Sequence, residues 1–336
     1  MKLLVMGGTR FVGRAVAEAA LADGIEVTTL NRGLSRTPHP DVRTLVADRT
    51  DPAALRAAIG GGTWDAVIDT WPGVPRVIAD SCRLLADRTG HFGYVSTISV
   101  YADPMPAGAD EHAPLVDGDP DRADSAGYQA DKRGAEIAVC RVFGAGALLA
   151  RPGLILGPYE YVSRLPWWLR RVERGGRVLA PGDPGRAVVQ YIDVRDLARW
   201  MLAAARRHYS GPVNLVSRPG LTTMGELLET AVRVTGADAE LMWAPDKLIL
   251  DAGISPWTEL PIWLPPGPDY DAMTSLDVSV AEGTGLTSRP VQDTVADTWA
   301  WLRAEGYPEQ RPGPPASGLD PAKERQVLDV LTGGPA

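Results

Sequence analysis

The chain holds 336 residues, which at ~150 residues per domain suits two domains, or one large α/β unit carrying a smaller lobe. Hydrophobic residues at 45% and charged residues at 23% exclude a collagen, a disordered tail and a coiled coil. A net charge of -8 and a pI near 5.1 argue against nucleic acid as the main partner, which would call for a basic face.

Two cysteines, Cys82 and Cys140, make no disulfide framework. The four histidines, His39, His91, His112 and His208, lack metal-ligand spacing, so no metal is expected. Met1–Gly8 reaches glycine too soon for a secretory leader, and no apolar run approaches the ~18 residues of a membrane span. The expectation is a soluble cytoplasmic protein acting on a small molecule, away from membranes, with side chains or an organic cofactor supplying the chemistry.

In chain order, Leu3–Met6 reads as an apolar strand, and Phe11–Leu21 as a helix with Phe11, Ala15 and Ala19 on one side. Further strands are expected at Glu26–Leu30, Arg43–Val46, Ala66–Asp69, Phe92–Val95 and Leu148–Ala150. Helices at Pro52–Ile59, Arg76–Leu85 and Ala126–Val142 alternate with them. That alternation predicts βαβ units and a parallel sheet covered on both faces. After Arg151-Pro152-Gly153, proline, glycine and tryptophan become dense. Val194–Ala205 and Met224–Val234 read as helices, the latter opening on a Thr223–Glu226 capping box, with a strand at Val213–Val216 between them. Asp251–Pro268 reads mostly as loop, Gln292–Leu302 as a late helix and Tyr307–Ser317 as irregular. The expected domains are a nucleotide-binding sheet over 1–155, with the chain crossing back around 187–216, and a substrate lobe mainly over 156–305. A proline- and glycine-rich tail would follow over 306–336.

The first strand runs straight into Gly7-Gly8-Thr9-Arg10-Phe11-Val12-Gly13, and a helix follows. Glycines permit a tight turn and close approach of backbone to a pyrophosphate, while the helix N-terminus offers unpaired N–H groups and a positive dipole end. The sequence therefore points to a dinucleotide, against the alternative of a tight structural turn. An NAD site wants a carboxylate at the end of the second strand to accept from the ribose 2′-hydroxyl. Here stand Asn31 and Arg32, with Arg36 close behind, and a guanidinium can pair bidentately with a 2′-phosphate. NADP(H) is expected over NAD(H). Asp48 and Arg49 follow the third strand, where a carboxylate could accept from the adenine amino group or serve simply as a turn acid. Thr70, after the fourth strand, joins the cofactor-binding candidates.

Tyr128 and Lys132 stand one turn apart at the start of a helix, so they are neighbours on one face. A cation ~4–6 Å from a phenol lowers its pKa and makes it a usable acid/base near neutral pH. Val95–Tyr101 is rich in hydroxyls and lies at the carboxyl end of a strand, the edge where open α/β sheets bind ligands. The conjunction of glycine loop, hydroxyl-bearing strand end and Tyr/Lys helix is more specific than any one of them.

Over residues 1–305 the chain resembles the extended short-chain dehydrogenases/reductases of the epimerase/dehydratase-like branch, with an atypical cofactor loop. The resemblance rests on Gly7–Gly13, Thr97–Tyr101, Tyr128–Lys132, Arg151–Pro158 and Tyr191–Ala198. It implies a Rossmann-type doubly wound α/β fold with a smaller C-terminal substrate-binding lobe. It makes Tyr128 the proton donor/acceptor and Lys132 the holder of the nicotinamide ribose and the group that depresses the tyrosine pKa. Thr97 would hydrogen-bond the reacting oxygen, ahead of the near misses Ser96 and Ser99. Pro152, Gly153, Leu154 and Ile155 would line the nicotinamide face. Should Tyr128 fail as acid/base, Tyr101 and Asp193 come next.

Departures from the family narrow the chemistry. The family's sugar-nucleotide dehydratases carry Asp-Glu directly after the catalytic Thr; Ile98-Ser99 stands there instead, leaving dehydration without its acid and base. The arginine that pairs with a sugar-nucleotide diphosphate is replaced by Val189, and an asparagine near Pro166 by Ser163-Arg164-Leu165. A buried diphosphate without a cation would be poorly compensated, which argues against a sugar nucleotide. The expected reaction is hydride transfer at a ketone/carbinol carbon of a small, polar, cyclic metabolite, with net reduction favoured and epimerisation with retained cofactor as the alternative. Ser99, Tyr161, Trp167, Trp168 and Tyr191 are substrate-wall candidates, with Trp257 and Trp263 behind them. Adjacent Trp167 and Trp168 point ~100° apart on a helix, so only one of them is expected to meet ligand.

Family dimers pair helices like Arg76–Leu85 and Ala126–Val142, and apolar stripes at Val77, Leu84 and Leu85 and at Ile137, Ala138 and Val142 would suit a homodimer or this chain's own sheet. The Gly-Gly-Thr-Arg-Phe loop also resembles that of chloroplast RNA-binding relatives. A non-catalytic RNA-binding or redox-sensing scaffold is thus the alternative of another class; the acidic pI and the Tyr128/Lys132 pair count against it.

Overall fold

A computed structural model describes residues 1–34, 39–308 and 318–333. In chain order it contains β1 (Lys2–Met6), α1 (Phe11–Ala22), β2 (Glu26–Asn31), β3 (Arg43–Val46), α2 (Pro52–Ile59), β4 (Ala66–Asp69), α3 (Pro75–Leu85) and β5 (Phe92–Val95). There follow α4 (Tyr128–Phe143), β6 (Ala147–Pro152), β7 (Leu154–Leu156), α5 (Leu165–Glu173), β8 (Gly176–Pro181), β9 (Tyr191–Asp193), α6 (Val194–Arg206) and β10 (Gly211–Leu215). The chain ends with α7 (Met224–Thr235), β11 (Ala239–Ala244), α8 (Asp246–Asp251), α9 (Ser279–Gly283), α10 (Val291–Glu305) and α11 (Pro321–Leu331). No helix among the described residues is long and apolar enough to cross a membrane.

The chain forms two units. The first comprises Met1–Gly153, Val194–Val216 and Asp277–Thr287. Its seven strands form one parallel sheet in the order β10-β6-β5-β4-β1-β2-β3, the doubly wound arrangement in which strand order reverses beside β1. Strand side chains alternate between faces. Leu4 and Met6 of β1 share a core with Val67, Phe92, Tyr94 and Leu149 and with α2, α3 and α4. Leu3 and Val5, pointing the other way, are equally buried, and α1 packs on α6. Such two-faced burial is why these strands read as continuous apolar runs rather than alternating ones. The stripes considered for a dimer are used within the chain: Leu85 and Ala138 are core, with Leu84 and Val142 packed against it.

The second unit comprises Leu154–Asp193, Ser217–Leu276 and Ser288–Ala336. It carries two parallel pairs, β11-β8 and β7-β9, and a core in which α5, α7 and α10 meet. Thr223 caps α7 in the expected capping box. The span 306–336, read as a tail, instead contains α11. Asp320 accepts from the Ala322 amide, Pro321 sits at the first helical turn, and Val327 and Leu328 are buried. Arg171 Nε donates to both Glu324 oxygens at 2.8 Å, and the Leu179 amide donates to Glu324 Oε1 at 3.1 Å. A buried carboxylate paired in this way fastens α11 to the second unit.

Candidate active site

All the candidates for acid/base chemistry on the Tyr/Lys helix and its strand lie in the first unit. Gly7 and Gly8 adopt φ values of 129° and 93°, where a side chain is strained. A Cβ on Gly13 would stand 2.5 Å from the Gly8 amide nitrogen, so the start of α1 packs backbone on backbone against the loop. A Cβ on Gly7 would meet Thr70 Oγ1 at 2.5 Å. Thr70 Oγ1 itself donates to the Met6 carbonyl at 3.0 Å, tying the end of β4 to β1. No side chain caps α1, since Arg10 at its N-cap makes no cap hydrogen bond. The loop residues Thr9 and Arg10 are half-buried and exposed, whereas Phe11 and Val12 are buried in the helix start.

Beyond β2, Asn31 Oδ1 accepts from the Gly33 amide at 2.9 Å and Arg32 is exposed. Arg36 lies outside the described residues. Asp48 closes its own turn, accepting from the Thr50 amide at 2.9 Å and Thr50 Oγ1 at 2.8 Å, bonds that hold its carboxyl below the usual range. Arg49 is turned inward: Nη1 and Nη2 donate to the two Asp69 oxygens at 2.8 and 2.5 Å, and Nη2 reaches Ser81 Oγ at 3.0 Å.

Tyr128 opens α4 and is 53% exposed, while Lys132, one turn on, is 3% exposed. Lys132 Nζ donates to the Val95 carbonyl at 2.7 Å and the Trp71 carbonyl at 3.0 Å, and lies 4.7 Å from the centroid of the Tyr94 ring. Burial pulls its pKa down to about 7, opposed by the charges of Asp69 and Glu136. Thr97 Oγ1 accepts from the Ser99 amide at 3.2 Å and donates to Ser99 Oγ at 3.3 Å. The neighbouring Ser96 hydroxyl is buried with no partner among the described residues, and so is Arg49 Nε. Buried polar groups without partners are rare, and both atoms sit beside the cradle and the lysine, as a polar ligand in this site would require. The residues present fit a dinucleotide.

Tyr101, the reserve acid/base, is withdrawn from solvent: its hydroxyl donates to Asn214 Oδ1 at 2.6 Å and accepts from Arg151 Nη1 at 3.2 Å. Burial raises its pKa, with Arg151 opposing. Pro152 ends β6 and Gly153 donates to the Leu215 carbonyl at 3.3 Å; Leu154 and Ile155 belong to β7 of the second unit.

In the second unit, Trp168 is fully buried with its indole N–H on the Pro261 carbonyl at 2.6 Å, and Trp263 is fully buried with its N–H on Asp246. These two rings are core, which corrects the expectation that Trp168 belongs to a substrate wall; a large apolar ring at the centre of a small lobe gains more from burial there. Tyr191 is buried beside Thr294, and Asp193 accepts from Thr294 Oγ1 at 2.8 Å. Trp167 and Tyr161 are half-buried.

Sequence reading passed over Asp69, Trp71 and Tyr94. The available signal was an acid closing the wholly apolar strand Ala66–Asp69, since a buried carboxylate demands a cation.

A family model for the NAD dependent epimerase/dehydratase family matches residues 3–216. A Streptomyces sp protein, 3-diazoavenalumate denitrifying reductase, is 28% identical over 230 residues, covering 63% of this chain and 74% of the reductase. The 2-alkyl-3-oxoalkanoate reductase of Stenotrophomonas maltophilia (strain K279a) is 28% identical over 275 residues, 70% of this chain and 76% of its own. In fold, the chain is similar to the Bordetella bronchiseptica enzyme WbmH in complex with NAD+, with a TM-score of 0.68 at 19% identity over 91% of this chain and 99% of that one. With its seven-stranded parallel sheet, glycine loop and Tyr/Lys helix, the chain belongs to the NAD dependent epimerase/dehydratase family and is an NAD(P)-dependent enzyme of the extended short-chain dehydrogenase/reductase type.

Proposed function

We propose that the protein is an NADP(H)-dependent reductase acting at a ketone/carbinol carbon of a small, polar, cyclic metabolite. The observation that carries this reading is Lys132, a buried amine tied to the Val95 and Trp71 carbonyls one helical turn from an exposed phenol. Two of its three donors are engaged, which leaves one for a ribose hydroxyl. Tyr128 gives its phenolic proton to the substrate oxygen as that oxygen gains charge, and Thr97 steadies the same oxygen. The nicotinamide, when bound, supplies the hydride. Gly7, Gly8 and Gly13 let the backbone approach a pyrophosphate at α1, and Arg32, with no carboxylate at the end of β2, favours a 2′-phosphate. Ser99 and Tyr161 are proposed to face substrate, and Pro152 to Ile155 the nicotinamide.

The two reductases at 28% identity favour net reduction. The family name favours epimerisation with retained cofactor as the second reading. Cofactor use separates them. Incubation with a panel of cyclic and open-chain 3-oxo compounds and NADPH, followed by absorbance at the nicotinamide band, is expected to show stoichiometric oxidation. Turnover of a hydroxylated substrate with only catalytic cofactor would assign the epimerase instead.

A further inference from the structure

Resting on the reading that Lys132 serves the cofactor, we infer that Arg49 and Asp69 are positioning residues for Lys132, acting through the peptide of Trp71. The contacts form one continuous chain. Ser81 Oγ, anchored by donating to the Val77 carbonyl at 2.8 Å, accepts from Arg49 Nη2. Arg49 holds both oxygens of Asp69, and Asp69 Oδ1 accepts from the Trp71 amide at 2.9 Å. The guanidinium also lies 5.1 Å from the centroid of the Trp71 ring, whose indole N–H donates to the Val74 carbonyl at 3.1 Å. The Trp71 peptide is thereby fixed from its amide, its ring and its flanking turn. Its carbonyl then receives Lys132 Nζ at 3.0 Å and the Tyr94 hydroxyl at 3.1 Å.

A carbonyl held on three sides is a rigid acceptor, whereas one on a loose post-strand turn rotates and lets the amine drift. A bidentate guanidinium–carboxylate pair fixes geometry that a point charge does not. Every member is buried or half-buried, so water cannot substitute for a lost contact. The groups facing Lys132 are Asp69 from β4, Tyr94 from β5 and Glu136 from its own helix. Of these, Asp69 both attracts the ammonium and fixes the carbonyl that binds it.

The test uses the full chain with isotope-labelled lysine, since Lys2, Lys132, Lys247 and Lys323 are the four lysines and Lys132→Met assigns the Lys132 signal. In the wild type, the Lys132 side-chain resonance is expected to titrate well below the other three. In Asp69→Asn and Arg49→Lys, the midpoint should move by ~0.5 unit or more, with faster exchange of the Nζ protons. NADPH affinity, read by tryptophan fluorescence, should fall by about tenfold in the same variants. Should either variant not fold, Ser81→Ala removes a single contact from the guanidinium and should shift the same resonance in a smaller degree. A Lys132 resonance and titration unchanged in the folded variants would overturn the inference, leaving the pair a purely structural clamp that lowers melting temperature alone. Failure of the cofactor reading is separately visible: Lys132→Met would then bind NADPH as well as wild type, while the Lys132 resonance would still respond to Asp69 and Arg49.

Discussion

The Tyr101 hydroxyl donates to Asn214 Oδ1 across 2.6 Å, with Asn214 itself anchored to the carbonyls of Ala109 and Asp277. The two tyrosines of the family motifs thus have opposite environments: Tyr101 is sealed into a polar network, Tyr128 faces solvent at a helix start. Tyr101→Phe should keep turnover within about twofold and lose ~1–2 kcal/mol of stability, the cost of leaving buried polar partners short of one bond. Denaturant unfolding beside steady-state rates on the same substrate checks both parts. A large loss of rate at unchanged stability would move the acid/base role to Tyr101.

Cofactor choice is expected to follow Arg32. Replacing it with a carboxylate, Arg32→Asp, adds the ribose acceptor and removes the phosphate partner. The ratio of NADPH to NADH affinity should fall by about tenfold or more, since a hydrogen bond to a charged group is worth ~1.5–3 kcal/mol. Parallel fluorescence titrations of both cofactors measure it, and an unchanged ratio would place the selectivity elsewhere.

Glu160 should give the second unit a stability that declines as pH rises. It is fully buried, accepts from the Arg164 amide at 2.6 Å and the Leu165 amide at 3.2 Å, and burial raises its pKa to about 7 from 4.5. Between those values the folded protein keeps a proton that the unfolded chain has released. The stabilisation is therefore complete below the unfolded value and is lost as pH climbs through about 7. Glu160→Gln should flatten this dependence, by up to ~3 kcal/mol between about pH 4.5 and 7.5. Melting curves of both proteins across that range decide it; parallel slopes would show that Glu160 is already ionised when folded.

Much of the first unit was legible because its signals are local. Apolar runs of four to six residues alternate with helical periods, and β3, α2, β4 and β5 fall where the pattern places them. The second unit was less so. Pro166 and Pro321 look like breakers, yet each stands in the first turn of a helix, where a missing N–H costs nothing. The strands β8 and β11 pair only with each other across 63 residues, with no repeating pattern to announce them. At the site, Tyr128 and Lys132 were legible from their spacing on one helix. The acceptors of Lys132 were not, because they are main-chain carbonyls 61 and 37 residues away, and no side-chain motif encodes a carbonyl.

The measurement closest to the central claim is label transfer by Tyr128→Phe. With nicotinamide-deuterated NADPH and a ketone turned over by the wild type, deuterium should appear at the carbinol carbon of the product. Tyr128→Phe keeps the ring and removes one oxygen, so the labelled product should form at least ~10²-fold more slowly, the usual contribution of a general acid. NADPH affinity should barely change, because the phenol proton and not the cofactor pocket has been removed. A Tyr128→Phe protein that forms labelled product at nearly the wild-type rate would contradict the account and show that another group delivers the proton.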